Sequence, residues 1–153
     1  MTIHLLRHVR AGRRSAWTGD DEARPASKVG RRQAKDLAVR FADLPVTAVV
    51  SSPYVRCVQS VAPLAKGLGL TVVESPALAE GAGIDDVLDL IASLDGDAVL
   101  CTHGDVVQLV LDQVRRDGVK LRKPRLEKGS VWALERRASR FTDATYQRPP
   151  RLD

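Results

Sequence analysis

Short apolar runs alternate with segments of helical periodicity over most of this chain, and that order constrains the fold more than any other feature. The spacing predicts strands beginning near Ile3, Thr47, Thr71 and Ala98. It predicts helices over residues 30–44, 54–68, 84–94 and 105–117. Strands that alternate with helices in this way form a parallel sheet with helices on both faces.

The pattern changes after Gly118, where two further strands are predicted over residues 131–135 and 141–146, joined by a short turn. They form an antiparallel hairpin at the sheet edge. We therefore expect an α/β fold, a three-layer α/β/α sandwich with a mostly parallel sheet. A chain of 153 residues that is 44% hydrophobic can build one sizeable core, which predicts a single domain over residues 1–153.

Cationic side chains follow three of the predicted strands. Arg7 and His8 come after the first strand, Arg56 follows the second in the segment Ser-Ser-Pro-Tyr-Val-Arg, and His103 follows the strand near Ala98. In an open α/β sheet the carboxyl ends of the strands line the ligand crevice. Any one of these motifs alone reads as ordinary surface charge, but together they predict a cationic site. A phosphoryl group is the simplest anion to neutralise it.

The motifs Leu-Arg-His at residues 6–8, Ser-Ser-Pro-x-x-Arg at 51–56 and Thr-His-Gly at 102–104 resemble those of the histidine phosphatase, or phosphoglycerate mutase-like, superfamily. Their order and structural contexts match the family over nearly the whole chain. Within it, the short length and residues 24–34 look most like SixA-type phosphohistidine phosphatases. The segments 15–21 and 128–132 are similar to the phosphatase domain fused to some mycobacterial MutT-type Nudix hydrolases.

The resemblance implies roles for these residues. His8 would be the nucleophile that forms a covalent phosphohistidine, and Arg7, Arg56 and His103 would bind the phosphoryl oxygens. Such a site requires neither a metal nor another cofactor. The family often places its proton donor where Glu80 lies, so Glu80 is our choice of general acid. Three other carboxylates compete for that role, namely Asp85, Asp86 and Asp105.

One residue departs from the family pattern, because Val9 stands where better-known members have glycine. A β-branched side chain there is expected to restrict substrate size near the nucleophile. Elsewhere, we expect Cys57 and Cys101 to be buried free thiols and not a disulfide. His4, inside the first strand, is expected to be structural or at the surface.

Composition narrows the possible partners. The net charge is +5, yet aromatic residues make up only 4% of the chain, so stacking platforms for nucleic acid are scarce and a nucleic-acid partner is not expected. Attraction of anionic substrates or acidic proteins explains the charge equally well. The chain enters a strand at once, with neither a signal-peptide pattern nor a membrane-spanning run, which predicts a cytoplasmic protein with no membrane partner.

The sequence therefore predicts a metal-independent phosphatase that acts on a phosphohistidine protein or a small-molecule phosphomonoester. Hydrolysis of nucleotide polyphosphates is the alternative within the same enzyme class. A catalytically silent module that binds a phosphorylated partner is the alternative from another class. The presence of His8 argues against that module, since binding alone needs no nucleophile.

Overall fold

The computed structural model describes residues 1–123 and 125–151. Within these residues the strands form one six-stranded sheet, in the order β3-β2-β4-β1-β5-β6. The strands are β1 Thr2–Arg7, β2 Ala48–Ser51, β3 Val72–Glu74, β4 Ala98–Thr102, β5 Val131–Arg137 and β6 Arg140–Gln147. Strands β1 to β4 pair in parallel, whereas β5 pairs antiparallel to both β1 and β6. The predicted fold class is confirmed, including the antiparallel hairpin at the edge.

Helices follow each of the first four strands. They are α1 Lys28–Phe41, α2 Val55–Gly67, α3 Ile84–Ala92 and α4 Gly104–Arg116. Helix α1 begins two residues before the predicted start because Ser27 caps it, its Oγ accepting a hydrogen bond from the Gly30 N–H at 3.0 Å. Short 3₁₀ turns over Arg14–Ala16, Asp21–Ala23 and Pro76–Leu78 shape the connecting loops.

The sheet separates two hydrophobic clusters. On one face α1 and α2 pack against the sheet through residues such as Leu37, Phe41 and Leu64, and Leu6 joins them from β1. On the other face α3 and α4 pack with Ile3 and Leu5 of the same strand. Alternate residues of β1 therefore serve opposite faces, as the period of two in a strand requires. This three-layer arrangement leaves the carboxyl ends of the parallel strands free to build a site.

His4 is buried inside this framework. Its ring packs edge-on against Phe41 with centroids 5.0 Å apart. Of the two alternatives expected for His4, structural or at the surface, the structure shows the first. No helix in the described part of the chain is both long enough and apolar enough to cross a membrane. The cytoplasmic location stays a prediction.

Candidate active site

The sheet order brings the predicted cationic residues together. Strand β4 lies between β1 and β2, and the register pairs Arg7 with Thr102 and Ser51 with Cys101. The three strands therefore end at nearly the same level. His8, Ser52 and His103 each stand directly after one of these ends, and Arg56 follows in the first turn of α2.

A cavity of about 590 Å³ opens at this edge of the sheet. Arg7, His8, Arg56, Glu80 and His103, the five site residues predicted from the sequence, all line it. Further charged residues of the lining are Arg13, Arg14, Arg24, Asp105 and Lys128. The structure thus places all the predicted site residues around one pocket in which cations outnumber carboxylates.

Hydrogen bonding defines the tautomer of His8. Its Nδ1 lies 2.8 Å from the Val9 carbonyl oxygen, which can only accept, so Nδ1 carries the proton and Nε2 keeps its lone pair. The pKa of His8 is lowered to about 3, chiefly by burial; the hydrogen bond to Val9 acts to raise it, and the positive charges of Arg56 and Arg7 act with burial to lower it. His8 is therefore a neutral imidazole at physiological pH, with an unprotonated nitrogen available for attack.

The second imidazole, His103, is held by the turn after β2. Its Nε2 lies 2.9 Å from Ser52 Oγ, and that oxygen already accepts a hydrogen bond from the Tyr54 N–H. This contact holds the His103 ring in place, with Nδ1 as the ring nitrogen that has no partner. His8 and His103 pack edge to face, with their ring centroids 5.4 Å apart.

Arg56 is buried and Arg7 is half-buried, and both keep a donor without a partner. Among the described residues, Nε of Arg7, Nε of Arg56 and Nδ1 of His103 are buried and have no hydrogen-bond partner. Arg56 is only 1% exposed and stacks over the Tyr54 ring at 4.9 Å. Buried polar groups are normally paired, so two unpaired guanidinium donors and an unpaired imidazole nitrogen beside one cavity are consistent with an anionic ligand as their partner.

Gly104 makes room for the Arg7 guanidinium. A Cβ atom at Gly104 would lie 3.0 Å from Cζ of Arg7. A larger residue at the first position of α4 would therefore push this guanidinium out of place. Arg7 also donates from Nη1 to the Leu126 carbonyl oxygen, and burial lowers its pKa although Asp105 opposes that effect.

Asp21 is a carboxylate of the site that the sequence motifs do not predict. The loop before α1 brings its carboxylate to Arg56 Nη2 at 3.0 Å and to Arg24 Nε at 2.9 Å. Its backbone oxygen accepts from Arg56 Nη1 at 2.8 Å. Although partial burial acts to raise it, the pKa of Asp21 is lowered because Arg24 and Arg56 donate hydrogen bonds to its carboxylate. Nothing in the sequence distinguishes Asp21 from Asp20 and Glu22 beside it.

The structure narrows the choice of general acid. Glu80 and Asp105 line the cavity, whereas Asp85 and Asp86 lie exposed in the first turn of α3 and do not. Glu80 Oε1 accepts from Arg14 Nη2 at 3.1 Å, and Oε2 lies 3.9 Å from Arg56 Nη2. Asp105 Oδ2 accepts from the Gly81 N–H at 2.8 Å. Glu80 therefore stays the preferred candidate, with Asp105 as the remaining competitor.

The expectation that Val9 restricts the substrate is wrong. Its side chain is fully buried in the cluster beneath α1 and α2, and it is not part of the cavity lining. Its N–H donates to Ser60 Oγ of α2 at 2.9 Å. The apolar environment on that face of the sheet accommodates a valine, so the position contributes to core packing and not to pocket size.

Cys57 and Cys101 are buried free thiols, as predicted. Cys57 Sγ lies 3.6 Å from Nε2 of His103, and Cys57 is not among the residues that line the cavity. Burial raises the pKa of the Cys101 thiol well above its usual value. Within the described ranges no group of three or more His, Cys, Asp or Glu side chains is placed to hold a metal ion.

Comparison with known proteins agrees with a phosphate-binding site. Residues 3–85 match the sequence model of the histidine phosphatase superfamily (branch 1). A curated relative, the 8-oxo-(d)GTP phosphatase of Mycolicibacterium smegmatis (strain ATCC 700084 / mc(2)155), is 34% identical over 157 residues. The match covers 97% of this chain and 48% of that protein, so the chain spans about half the length of this relative.

Two solved structures share the fold. The protein histidine phosphatase SixA complexed with tungstate has a TM-score of 0.78 at 16% identity, covering 99% of this chain and 97% of that one. A SixA structure from Agrobacterium tumefaciens has a TM-score of 0.75 at 20% identity, covering 97% of each chain. At these identities the likeness establishes the fold alone. That residues 1–153 form a single domain stays a prediction.

Proposed function

This chain belongs to the histidine phosphatase superfamily (branch 1), and from that premise we propose that His8 takes a phosphoryl group from its substrate and passes it to water. The observation that carries the proposal is the tautomer of His8. Its Nδ1 proton is committed to the Val9 carbonyl, so Nε2 is the nucleophilic atom at a pocket lined with cations. A low pKa keeps this nitrogen unprotonated without any separate base.

In the first step, the Nε2 lone pair attacks phosphorus while the bond between phosphorus and the leaving group breaks. The bonding electrons move to the leaving atom, which takes a proton from the Glu80 carboxylic acid. Arg7, Arg56 and His103 bind the three equatorial oxygens as charge redistributes on them. Stabilisation of this kind, together with positioning, provides most of the rate enhancement in phosphoryl transfer.

In the second step, a water molecule attacks the phosphohistidine from the side that the leaving group vacated. The bond between nitrogen and phosphorus breaks, and its electrons return to Nε2. The Glu80 carboxylate, deprotonated by the first step, accepts a proton from the attacking water. Inorganic phosphate is released and His8 returns to its neutral form.

A phosphohistidine protein or a small-molecule phosphomonoester is the substrate that this site suits. Hydrolysis of nucleotide polyphosphates is a second candidate, because the M. smegmatis relative is named for an activity on 8-oxo-(d)GTP. That protein is about twice as long as this chain, so its activity as a whole does not transfer directly. The alternative of a silent phosphate-binding module would keep the arginines but would have no use for a neutral His8.

The test is release of inorganic phosphate by the wild type and by His8→Asn. Asparagine preserves a donor to the Val9 carbonyl and removes the nucleophile. His4→Asn is the matched control, since His4 is buried in β1, the strand that leads to His8, but does not line the cavity. Substrates are p-nitrophenyl phosphate, a phosphohistidine protein and nucleoside triphosphates, without added metal.

We expect turnover in the wild type and in His4→Asn, and a loss of at least 10³-fold in His8→Asn, on the order of what loss of a covalent nucleophile causes. A phosphorylated His8 trapped by rapid acid-free quenching would identify the intermediate directly. Equal turnover in His8→Asn and the wild type would overturn the proposal. Phosphate binding by the wild type without turnover of any substrate would favour the silent module.

A further inference from the structure

A second cavity of about 710 Å³ adjoins the active-site pocket. Among the residues that the structure describes, four cationic side chains line it, together with the carboxylate of Glu127. These cations are Arg10, Lys128, Arg148 and Arg151. Ala11 and Lys128 belong to the linings of both cavities, so the two are direct neighbours.

The charges of the two cavities are balanced differently. In the active-site pocket, Arg14, Arg24 and Arg56 make ion pairs with Asp21 or Glu80. Among the described residues, the side chains of Arg10, Lys128 and Arg148 have no carboxylate within 4.0 Å. A concave surface with unbalanced positive charge favours an anionic ligand.

The framework around the second cavity is well ordered by hydrogen bonds. The Arg10 N–H donates to Gln33 Oε1 at 3.1 Å, and its carbonyl oxygen accepts from the Ser27 N–H at 2.9 Å. A Cβ atom on Gly30 would lie only 1.9 Å from that carbonyl, so the close approach of α1 to Arg10 requires glycine there. The backbone of Arg10 is thereby held against the start of α1.

Lys128 connects this cavity to the nucleophile. The N–H of Gly129, next to it in the chain, lies 3.0 Å from the Arg7 carbonyl oxygen and 3.1 Å from that of His8. Burial lowers the pKa of Lys128, and the positive charges of Arg7, Arg24, Arg10 and Arg56 lower it further. The positive charges that line both cavities therefore act on the ammonium group of Lys128. This group lines the same pocket as the residues that would bind the transferred phosphoryl group.

We infer that the second cavity is a subsite for a further phosphate group on the substrate, one that the product retains. The ligand class is a small molecule with two or more phosphates, either in one chain, as in a nucleoside triphosphate, or at separate positions. The size of the cavity falls within the range of about 300–1,000 Å³ that is usual for small-molecule sites. Guanidinium groups bind phosphate through paired donors, which suits Arg10 and Arg148 to this role. The inference rests on the proposed function, since it assigns the substrate of the same site.

The experiment compares Arg10→Gln/Arg148→Gln with a control that loses the same charge elsewhere. Arg116→Gln/Arg137→Gln is that control, because both arginines are exposed and neither lines a cavity described above. The probes are p-nitrophenyl phosphate with one phosphate, GTP with a phosphate chain, and fructose 1,6-bisphosphate with two separate phosphates. The readouts are kcat/KM, and the Kd of each probe for the His8→Asn background by calorimetry.

We expect the subsite variant to lose at least tenfold more kcat/KM on GTP or on the bisphosphate than on p-nitrophenyl phosphate, mainly through KM. The control should retain the wild-type ratio. Whichever probe shows the selective loss identifies the phosphate arrangement. Loss of the same factor on all three probes would overturn the subsite while leaving the phosphatase intact.

The binding arm separates failure of the subsite from failure of the proposed function. If the wild type turns over none of the probes, the proposed function fails. A Kd for GTP or the bisphosphate that rises at least tenfold in the subsite variant would then still support the subsite. An unchanged Kd for both would refute it.

Discussion

Replacing His8 by asparagine should remove the part of the acid sensitivity of the folded protein that comes from this buried imidazole. In the folded state the pKa of His8 is about 3, whereas the unfolded imidazole titrates near 6.5. As pH falls through 6.5 the unfolded chain binds a proton that the folded chain does not. Folding stability from this residue is therefore fully present above pH 6.5 and is lost progressively between pH 6.5 and pH 3.

The size of the effect follows from the separation of the two pKa values. Each pKa unit corresponds to about 1.4 kcal/mol, so at pH 5 the protonation of unfolded His8 costs the folded wild type about 2 kcal/mol relative to pH 7.5. His8→Asn has no such group and should lose about 2 kcal/mol less over the same interval. The other titrating groups are common to both proteins and cancel in the comparison.

Urea unfolding at pH 7.5 and pH 5.0, in buffers free of phosphate, measures this difference. For each protein, the free energy of unfolding at pH 5.0 is subtracted from that at pH 7.5. The stability cost of the substitution itself therefore cancels. Identical pH dependence of the two proteins, within about 0.5 kcal/mol, would show that His8 is not held neutral by burial. It would also remove the physical basis for treating His8 as a nucleophile that needs no separate base.

Three further outcomes follow from the site. Glu80→Gln should lower kcat/KM for an alkyl phosphate about 100-fold but that for p-nitrophenyl phosphate less than about fivefold, because nitrophenolate departs without a proton and kcat/KM reports the first step alone. Asp85→Asn, outside the cavity, is the control, and equal losses of kcat/KM on both substrates would contradict the role of Glu80 as general acid. Arg56→Lys should reduce kcat about 100-fold, since the ammonium group of lysine cannot replace the planar pair of guanidinium donors. A near-wild-type kcat in this variant would contradict the role of Arg56 in binding the equatorial phosphoryl oxygens. Cys57 and Cys101 should react with a thiol reagent such as DTNB only after denaturation, whereas rapid labelling of the native protein would show that they are accessible.

The local pattern of the chain was sufficient to predict the sheet, its helices and the place of the cationic site. Hydrophobic periodicity identifies strands and helices over short spans, and the alternating order leaves few topologies. The carboxyl ends of parallel strands share one edge of the sheet. The sequence alone therefore assigns one pocket to Arg7, His8 and His103.

Only the tertiary structure decided which side chains complete that pocket and what surrounds it. Asp21 reaches Arg56 from 35 residues away in sequence, and Val9 turns into the core and not towards the substrate. Lys128 comes next to the nucleophile because Gly129 bonds to the backbone of Arg7 and His8. Such contacts depend on how irregular loops fold over the sheet, and no short-range periodicity records them. The sequence pattern thus determines which edge of the sheet carries the site, whereas long-range packing determines the charge balance of the site and the adjoining cavity.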